Sequence, residues 1–277
     1  MSTLVKDGGR IDEKKEARLE SSGLETGRGR LPALIFGVFS YIIFLYVFVY
    51  AIGFVGNMGV PKSIDSGVKE TFGKALLVDF FLILLFGLQH SLMARQGFKR
   101  RWKQIIPPAI ERSTYVLLAS LLLALLFWQW RPILNPVWSL EGPVARYLMV
   151  GLFWLGWILV LISSFMIDHF ELFGLRQVYN YWRGRETPPF QFKKEGPYRY
   201  IRHPIMLGFI MAFWATPGMT LGHFIFAVST TIYILIGIRF EERELLKTFG
   251  KEYDEYRREV PMLLPTWRRS SLFRKRR

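Results

Sequence analysis

From Leu31 onward the chain alternates long uncharged apolar blocks with short polar connections. Six blocks stand out: Leu31 to Val55, Ala75 to Met93, Ser113 to Trp130, Tyr147 to Ile167, Pro204 to Thr216 and Thr220 to Ile238. A helix rises 1.5 Å per residue, so roughly 20 apolar residues cover the ~30 Å hydrocarbon core of a bilayer. The fifth block is too short for that. It runs through Pro217-Gly218 into the sixth with no charge at the turn, which predicts a helical hairpin that turns inside the membrane. The fold class expected is all-α: a polytopic integral membrane protein with five to six transmembrane helices and a short C-terminal helical hairpin.

Composition agrees with lipid as the solvent. Of 277 residues 51% are hydrophobic and 16% aromatic, which excludes a disordered or collagen-like polymer. The formal net charge of +15 does not indicate nucleic acid, because the basic residues stand between the blocks rather than in one stripe interleaved with aromatics. All 37 Lys and Arg fall outside the blocks, and alternate connections hold 32 of them against 5 in the others. By the positive-inside rule both termini are cytoplasmic and the number of crossings is even. That means six passes, or four and a re-entrant hairpin.

Four regions are expected. Residues 1–30 mix both charge signs without an apolar run and read as a disordered cytoplasmic tail rather than a signal peptide. Residues 31–193 hold the N-terminal transmembrane helices, 194–265 a ligand-binding core and 266–277 a basic tail. No cysteine is present, so no thiolate nucleophile or cysteine-ligated metal exists. No dinucleotide fingerprint, P-loop, zincin motif or paired-carboxylate helix occurs either, and no metal is required.

Chemistry concentrates in two places that the topology puts on one side. The first is Gly196-Pro197-Tyr198-Arg199-Tyr200-Ile201-Arg202-His203-Pro204, ending in Gly208. Gly-Pro is a turn, and Pro204 suits the first turn of a helix whose early N–H groups lack partners. Such a helix start attracts negative charge, so backbone amides with an Arg202 fork and His203 suit the carboxylate of an amino-acid-like ligand. A basic interfacial anchor is the plainer alternative. The second place is Glu241-Glu242 directly after the last block, followed by Tyr253 and Tyr256. Carboxylates beside the membrane are costly unless paired, and either suits a ligand ammonium or sulfonium. A solvated helix start with Glu–Arg pairs is the alternative.

These residues carry a resemblance. GPYRYIRHPIMLG, a membrane hairpin and then EERELLKTFGKEYDEYRREVPMLLP resemble the C-terminal half of the isoprenylcysteine carboxyl methyltransferase and phospholipid methyltransferase superfamily. In that superfamily the Arg-His-Pro segment and the glutamate after the last helix resemble the two halves of an S-adenosylmethionine site. Met206 stands where many relatives carry Tyr. Further upstream, LFGLQHSLMARQGFKR, PPAIERSTYVLLASLLLALLFWQWRP and IDHFELFGLRQVY are similar to the bacterial methanethiol S-methyltransferases. The resemblance implies methyl transfer from S-adenosylmethionine to methanethiol, giving dimethyl sulfide, at a cytoplasmic pocket in the bacterial cytoplasmic membrane. It also implies Gly196, Pro197, Tyr198, Arg202, His203, Pro204, Gly208, Glu241 and Glu242 as the residues around the donor. A prenylated cysteine or aminophospholipid acceptor stays open, as does a non-catalytic accessory role, since reductase accessory proteins share a step like His90-Ser91. A membrane sterol reductase shares only the C-terminal pattern.

Other candidates lie in or beside the blocks. Asp79 is the only acid inside a block, and His90 follows eleven residues later on the same face. Asp168, His169, Glu171, Arg176 and Gln177 cluster where the fourth block ends. There Arg176 and Gln177 can clamp the donor or gate the site, an interfacial ion-pair cluster being the alternative. A thiol with a pKa near 8.5 is only a few per cent thiolate at neutral pH, and the thiolate is the nucleophile. His90 or His169 therefore suits the proton acceptor, with Arg202 or Arg176 as the local positive charge. Asp79, Arg176 and Trp214 are the candidates on the acceptor side. The other Trp residues suit an interfacial belt.

Overall fold

A computed structural model describes residues 29–188 and 192–264; the expected tail 266–277, and all but the last two residues of the expected tail 1–30, lie outside the described residues. The helices follow the blocks. They are α1 (Arg30–Gly56), α2 (Phe72–Ala94), the short α3 (Gln96–Trp102), α4 (Glu111–Gln129), α5 (Pro143–Ile167), α6 (His169–Leu172), α7 (Leu175–Trp182), α8 (Pro204–Trp214), α9 (Leu221–Phe249) and α10 (Lys251–Glu259). Among the described residues five of these, α1, α2, α4 with its entry turn, α5 and α9, are long and apolar enough to cross a membrane. The chain is a multi-pass integral membrane protein. Leu77, Phe80, Phe81, Leu84 and Leu88 of α2 are exposed and form one apolar stripe, the face a bilayer covers.

Helix α9 extends well past the apolar block that ends at Ile238. It has 29 residues, about 44 Å at the helical rise, and it continues because Glu241, Glu242, Arg243 and Leu245 suit a helix as well as apolar residues do. The two carboxylates are thus rigid extensions of a spanning helix. Helix α8 has 11 residues, about 16 Å. The hairpin turn that follows it does not lie bare in the apolar layer: Gly218–Thr220 (β2) pairs antiparallel with Pro136–Ser139 (β1) in the connection between α4 and α5. Leu140 N–H donates to Pro217 O at 2.8 Å and Gly222 N–H to Ile133 O at 2.9 Å. Pairing on the connection satisfies backbone groups that lipid cannot.

Small residues set the closest approach. A Cβ on Gly156 of α5 would stand 2.6 Å from Gly208 O, and one on Gly208 would stand 2.6 Å from Gly156 O. The two helices therefore touch backbone to backbone, as small-residue contacts do in membranes. Around this contact lies an aromatic core that includes Phe54, Phe127, Trp130, Phe153, Trp157 and Phe226, all buried. At the far end Asp79, 1% exposed, accepts the Arg131 N–H at 2.8 Å and ties α2 to the exit of α4. Thr220 Oγ1 donates to Asp65 Oδ1, and the Lys62 ammonium donates to Trp128 O.

At the other end, where the described chain starts and finishes, α10 folds back on α9. Tyr253, Tyr256 and Val260 are buried there against Leu245, Leu246, Phe249 and Phe192.

Candidate functional site

The turn Gly196–Arg199 leads the chain back to the bundle. Gly196 has φ +55°, a conformation in which a side chain is strained, and a Cβ there would also crowd the Met166 side chain at 3.1 Å. Tyr198 is buried; its hydroxyl faces Ser163 O of α5 at 3.5 Å, and its carbonyl accepts the Tyr256 hydroxyl at 2.7 Å. Burial raises the Tyr256 phenol above its ordinary value, with the Arg202 charge opposing, so it stays a donor. Arg202 N–H then donates to Pro261 O at 2.9 Å and His203 N–H to Met262 O at 3.2 Å. The first motif is thereby clamped between α5 and the segment after α10.

This clamp brings the two motifs together. Arg202 Nε and Nη2 donate to Glu242 Oε1 at 2.8 and 2.7 Å, and His203 Nε2 lies 3.1 Å from the same oxygen. His203 Nδ1 lies 3.5 Å from Glu241 Oε2. Arg202 Nη1 donates to Arg257 O at 2.9 Å and to Val260 O at 2.5 Å. The guanidinium, which the sequence casts as a fork for a ligand carboxylate, is closed on Glu242 and the carbonyls instead. Burying a cation requires a nearby counter-charge and filled donors, and Glu242 supplies the charge. Burial disfavours a charged His203, but the hydrogen bonds and charges of Glu241 and Glu242 outweigh it and hold the imidazole above its usual pKa.

The three donors converge on one oxygen of Glu242, and Oε2 receives none of them. Glu242 also lines a hollow of about 180 Å³, together with Arg239, Arg243, Leu246 and Arg257. Next to these carboxylates, α8 begins at His203-Pro204 with no side-chain cap. With the His203 N–H given to Met262 O and Pro204 lacking one, the N–H groups of Ile205 and Met206 are those left to meet an anion. Carboxylates, guanidinium groups and a bare helix start within one cluster suit a ligand that carries both an ammonium and a carboxylate.

The remaining candidates fall in three other places. His169 sits beneath α1, its Nε2 2.8 Å from the Tyr41 hydroxyl and its Nδ1 2.9 Å from the Ser164 hydroxyl. Burial lowers its pKa, with Asp168 opposing. Arg176 pairs with Asp168 and, at 3.5 Å, with Glu171; Gln177 Nε2 donates to Glu171 O. His90 lies between α2 and α4, with the Tyr115 hydroxyl at 2.9 Å. Asp79 and Trp214 stand at the far end, Trp214 donating to Thr231 Oγ1 at 2.9 Å. Pro197 and Pro204 shape the clamp and helix start, while Gly208 serves the α5 contact. Tyr41, Tyr115, Ser164 and Tyr233, the polar partners inside apolar blocks, are not singled out by sequence reasoning. Their signal is a hydroxyl on an otherwise apolar helix.

Comparison with known proteins agrees in extent with this geometry. The phospholipid methyltransferase family model matches residues 144–252, a span that includes Arg202, His203, Glu241 and Glu242. A methanethiol S-methyltransferase of Mycobacterium tuberculosis is 54% identical over 236 residues, 85% of this chain and 97% of that protein. Methanethiol S-methyltransferase 2 of Bradyrhizobium diazoefficiens is 53% identical over 85% of this chain and 91% of its own length. The Crocosphaera subtropica methanethiol S-methyltransferase is 50% identical over 85% and 92%. No solved structure matches significantly.

Proposed function

We propose that this chain, which belongs to the methanethiol S-methyltransferase family, transfers a methyl group from S-adenosylmethionine to methanethiol and releases dimethyl sulfide. The protein is a membrane methyltransferase. The observation that carries the choice of donor is the meeting of Arg202 and His203 with Glu241 and Glu242.

The donor set fits a molecule with an amino-acid end. Glu241 and the second oxygen of Glu242 take the ammonium; Arg239, Arg243 or Arg257 around the hollow, with the N–H groups opening α8, take the carboxylate. Arg202 acts by holding Glu242 in place. When bound, the donor supplies a methyl group on a positively charged sulfur. The region 194–265 is the donor-binding core and 31–193 holds the N-terminal transmembrane helices, with the termini in the cytoplasm of a bacterial cell.

The chain's own task is to ionise the thiol, since the neutral thiol is a poor nucleophile. A buried imidazole accepts the proton, and tight aromatic surroundings keep water from solvating the thiolate. Charge cancels as the methyl moves, so a dry site favours the step. Methanethiol has one carbon and needs no lipid-sized opening.

The test is headspace gas chromatography of purified protein given S-adenosylmethionine and methanethiol, with an Arg202→Ala, Glu242→Ala variant beside it. Dimethyl sulfide from the parent and not from the variant supports reaction and pocket together. If the parent binds the donor but yields none, the acceptor is wrong; if it binds no donor, the pocket assignment falls.

A further inference from the structure

Besides His203 in the donor cluster, two histidines lie toward the same end of the bundle, and their hydrogen bonding separates them. His169 has a partner on each ring nitrogen, the Tyr41 hydroxyl on Nε2 and the Ser164 hydroxyl on Nδ1. Its ring stacks on Phe165 at 4.4 Å and 8°. Nothing is left for a substrate proton.

His90 differs. Both its nitrogens face one oxygen, Tyr115 Oη, at 3.1 and 2.9 Å. The two nitrogens point in divergent directions, so a single hydroxyl serves one of them well and leaves the other for a further partner. Among the described residues no hydrogen bond joins His90 to a carboxylate. Aromatic rings wall it in, Phe86 stacked at 5.3 Å and Tyr233 edge-on at 6.4 Å. Tyr233 is built into this wall: a Cβ on Gly87 would lie 3.3 Å from its ring, and Ser91 donates to its hydroxyl at 3.1 Å. That leaves the Tyr233 proton free to be given elsewhere.

One face of α9 joins this place to the donor cluster. Tyr233, Gly237 and Glu241 stand at i, i+4 and i+8, about 12 Å from first to last, and Glu241 reaches His203. A Cβ on Gly237 would meet nothing within 4 Å, so the stripe is open midway.

We propose that the cluster of His90, Tyr115 and Tyr233 is the thiol site: His90 takes the thiol proton, Tyr115 and Tyr233 position the ring and the sulfur, and the stripe past Gly237 leads to the methyl donor. This rests on the thiol-methylating reading above. In the step the S–H bond breaks and its proton goes to the free ring nitrogen of His90. The sulfur lone pair forms the new S–C bond, and the pair of the broken C–S bond stays on the donor's sulfur. The positive charge ends on His90, which returns its proton to water.

The test uses purified full-length protein and two thiols, methanethiol and the more acidic 2,2,2-trifluoroethanethiol. A general base is worth at least about 100-fold, so His90→Gln is expected to lose that much kcat with methanethiol and tenfold or less with the acidic thiol. Tyr115→Phe shows the same trend on a smaller scale, and His169→Gln loses stability without that dependence. A second readout needs neither donor nor variant activity. The chain has four histidines, and in ¹⁵N-histidine-labelled parent protein without donor, methanethiol should shift the His90 ring signals and leave those of His169 in place. Equal losses of His90→Gln for both thiols, or no shift of His90, overturn the proposal. A parent that shifts His90 yet methylates neither thiol overturns the functional reading and leaves the thiol site standing.

Discussion

Removing the Glu242 carboxylate is the perturbation whose size the structure fixes best. Glu242→Ala leaves Arg202, whose side chain is 9% exposed, without its counter-ion and takes the near hydrogen-bond partner from His203. Removing one member of a buried pair costs about 3–5 kcal/mol. Two Arg202 bonds to Arg257 O and Val260 O persist and the adjoining hollow admits water, which places the cost near the lower end, about 3 kcal/mol. Glu242→Gln keeps an acceptor oxygen but no charge, and a neutral hydrogen bond is roughly half as strong as a charge-assisted one, so about 1–2 kcal/mol is expected. If the same carboxylate also holds the donor's ammonium, donor Kd rises about 100-fold in Glu242→Ala. The assays are thermal or denaturant unfolding in detergent and equilibrium dialysis of labelled S-adenosylmethionine. The decisive form is a double-mutant cycle in stability with Arg202→Ala, for which the structure requires a coupling of about 2 kcal/mol. Strict additivity, within about 0.5 kcal/mol, refutes the pair as the joint between the motifs.

Three further outcomes follow from other contacts. Because the glutamates hold His203 above its ordinary pKa, its stabilising contribution is full below about pH 6.5 and lost as pH rises through the raised value; unfolding against pH should show that loss in the parent and not in His203→Gln. Gly208→Leu should disrupt the α5–α8 contact, since even a Cβ stands 2.6 Å from Gly156 O, whereas Gly151→Ala, with nothing within 4 Å of its Cβ, should leave the thermal midpoint unchanged. Asp79→Ala leaves the half-buried Arg131 N–H without its partner and should cost about 1 kcal/mol in unfolding with donor Kd unaltered; a weakened Kd would move Asp79 into the site.

The membrane architecture is legible because lipid forces whole uncharged blocks, and each block became a helix. The reach of α9 beyond Ile238 is less so, because charged residues there are as compatible with helix as with a loop. The proximity of Arg202-His203 to Glu241-Glu242 is foreshadowed by two motifs flanking a short hairpin. That Arg202 closes on Glu242 instead of opening to a ligand is not, since partner choice depends on how deeply the guanidinium is buried. The pairing of His90 with Tyr115, 25 residues apart, and with Tyr233 across the bundle has no local periodicity to reveal it. Likewise the docking of the hairpin turn on Pro136–Ser139 is a backbone pairing that side-chain patterns do not encode.

The central claim is tested most directly by giving the purified protein methanethiol together with S-adenosylmethionine whose transferable methyl is deuterated, and weighing the headspace product by mass spectrometry. The account predicts dimethyl sulfide carrying one deuterated methyl group, formed in proportion to the demethylated donor. No dimethyl sulfide, or dimethyl sulfide without the label, would contradict it.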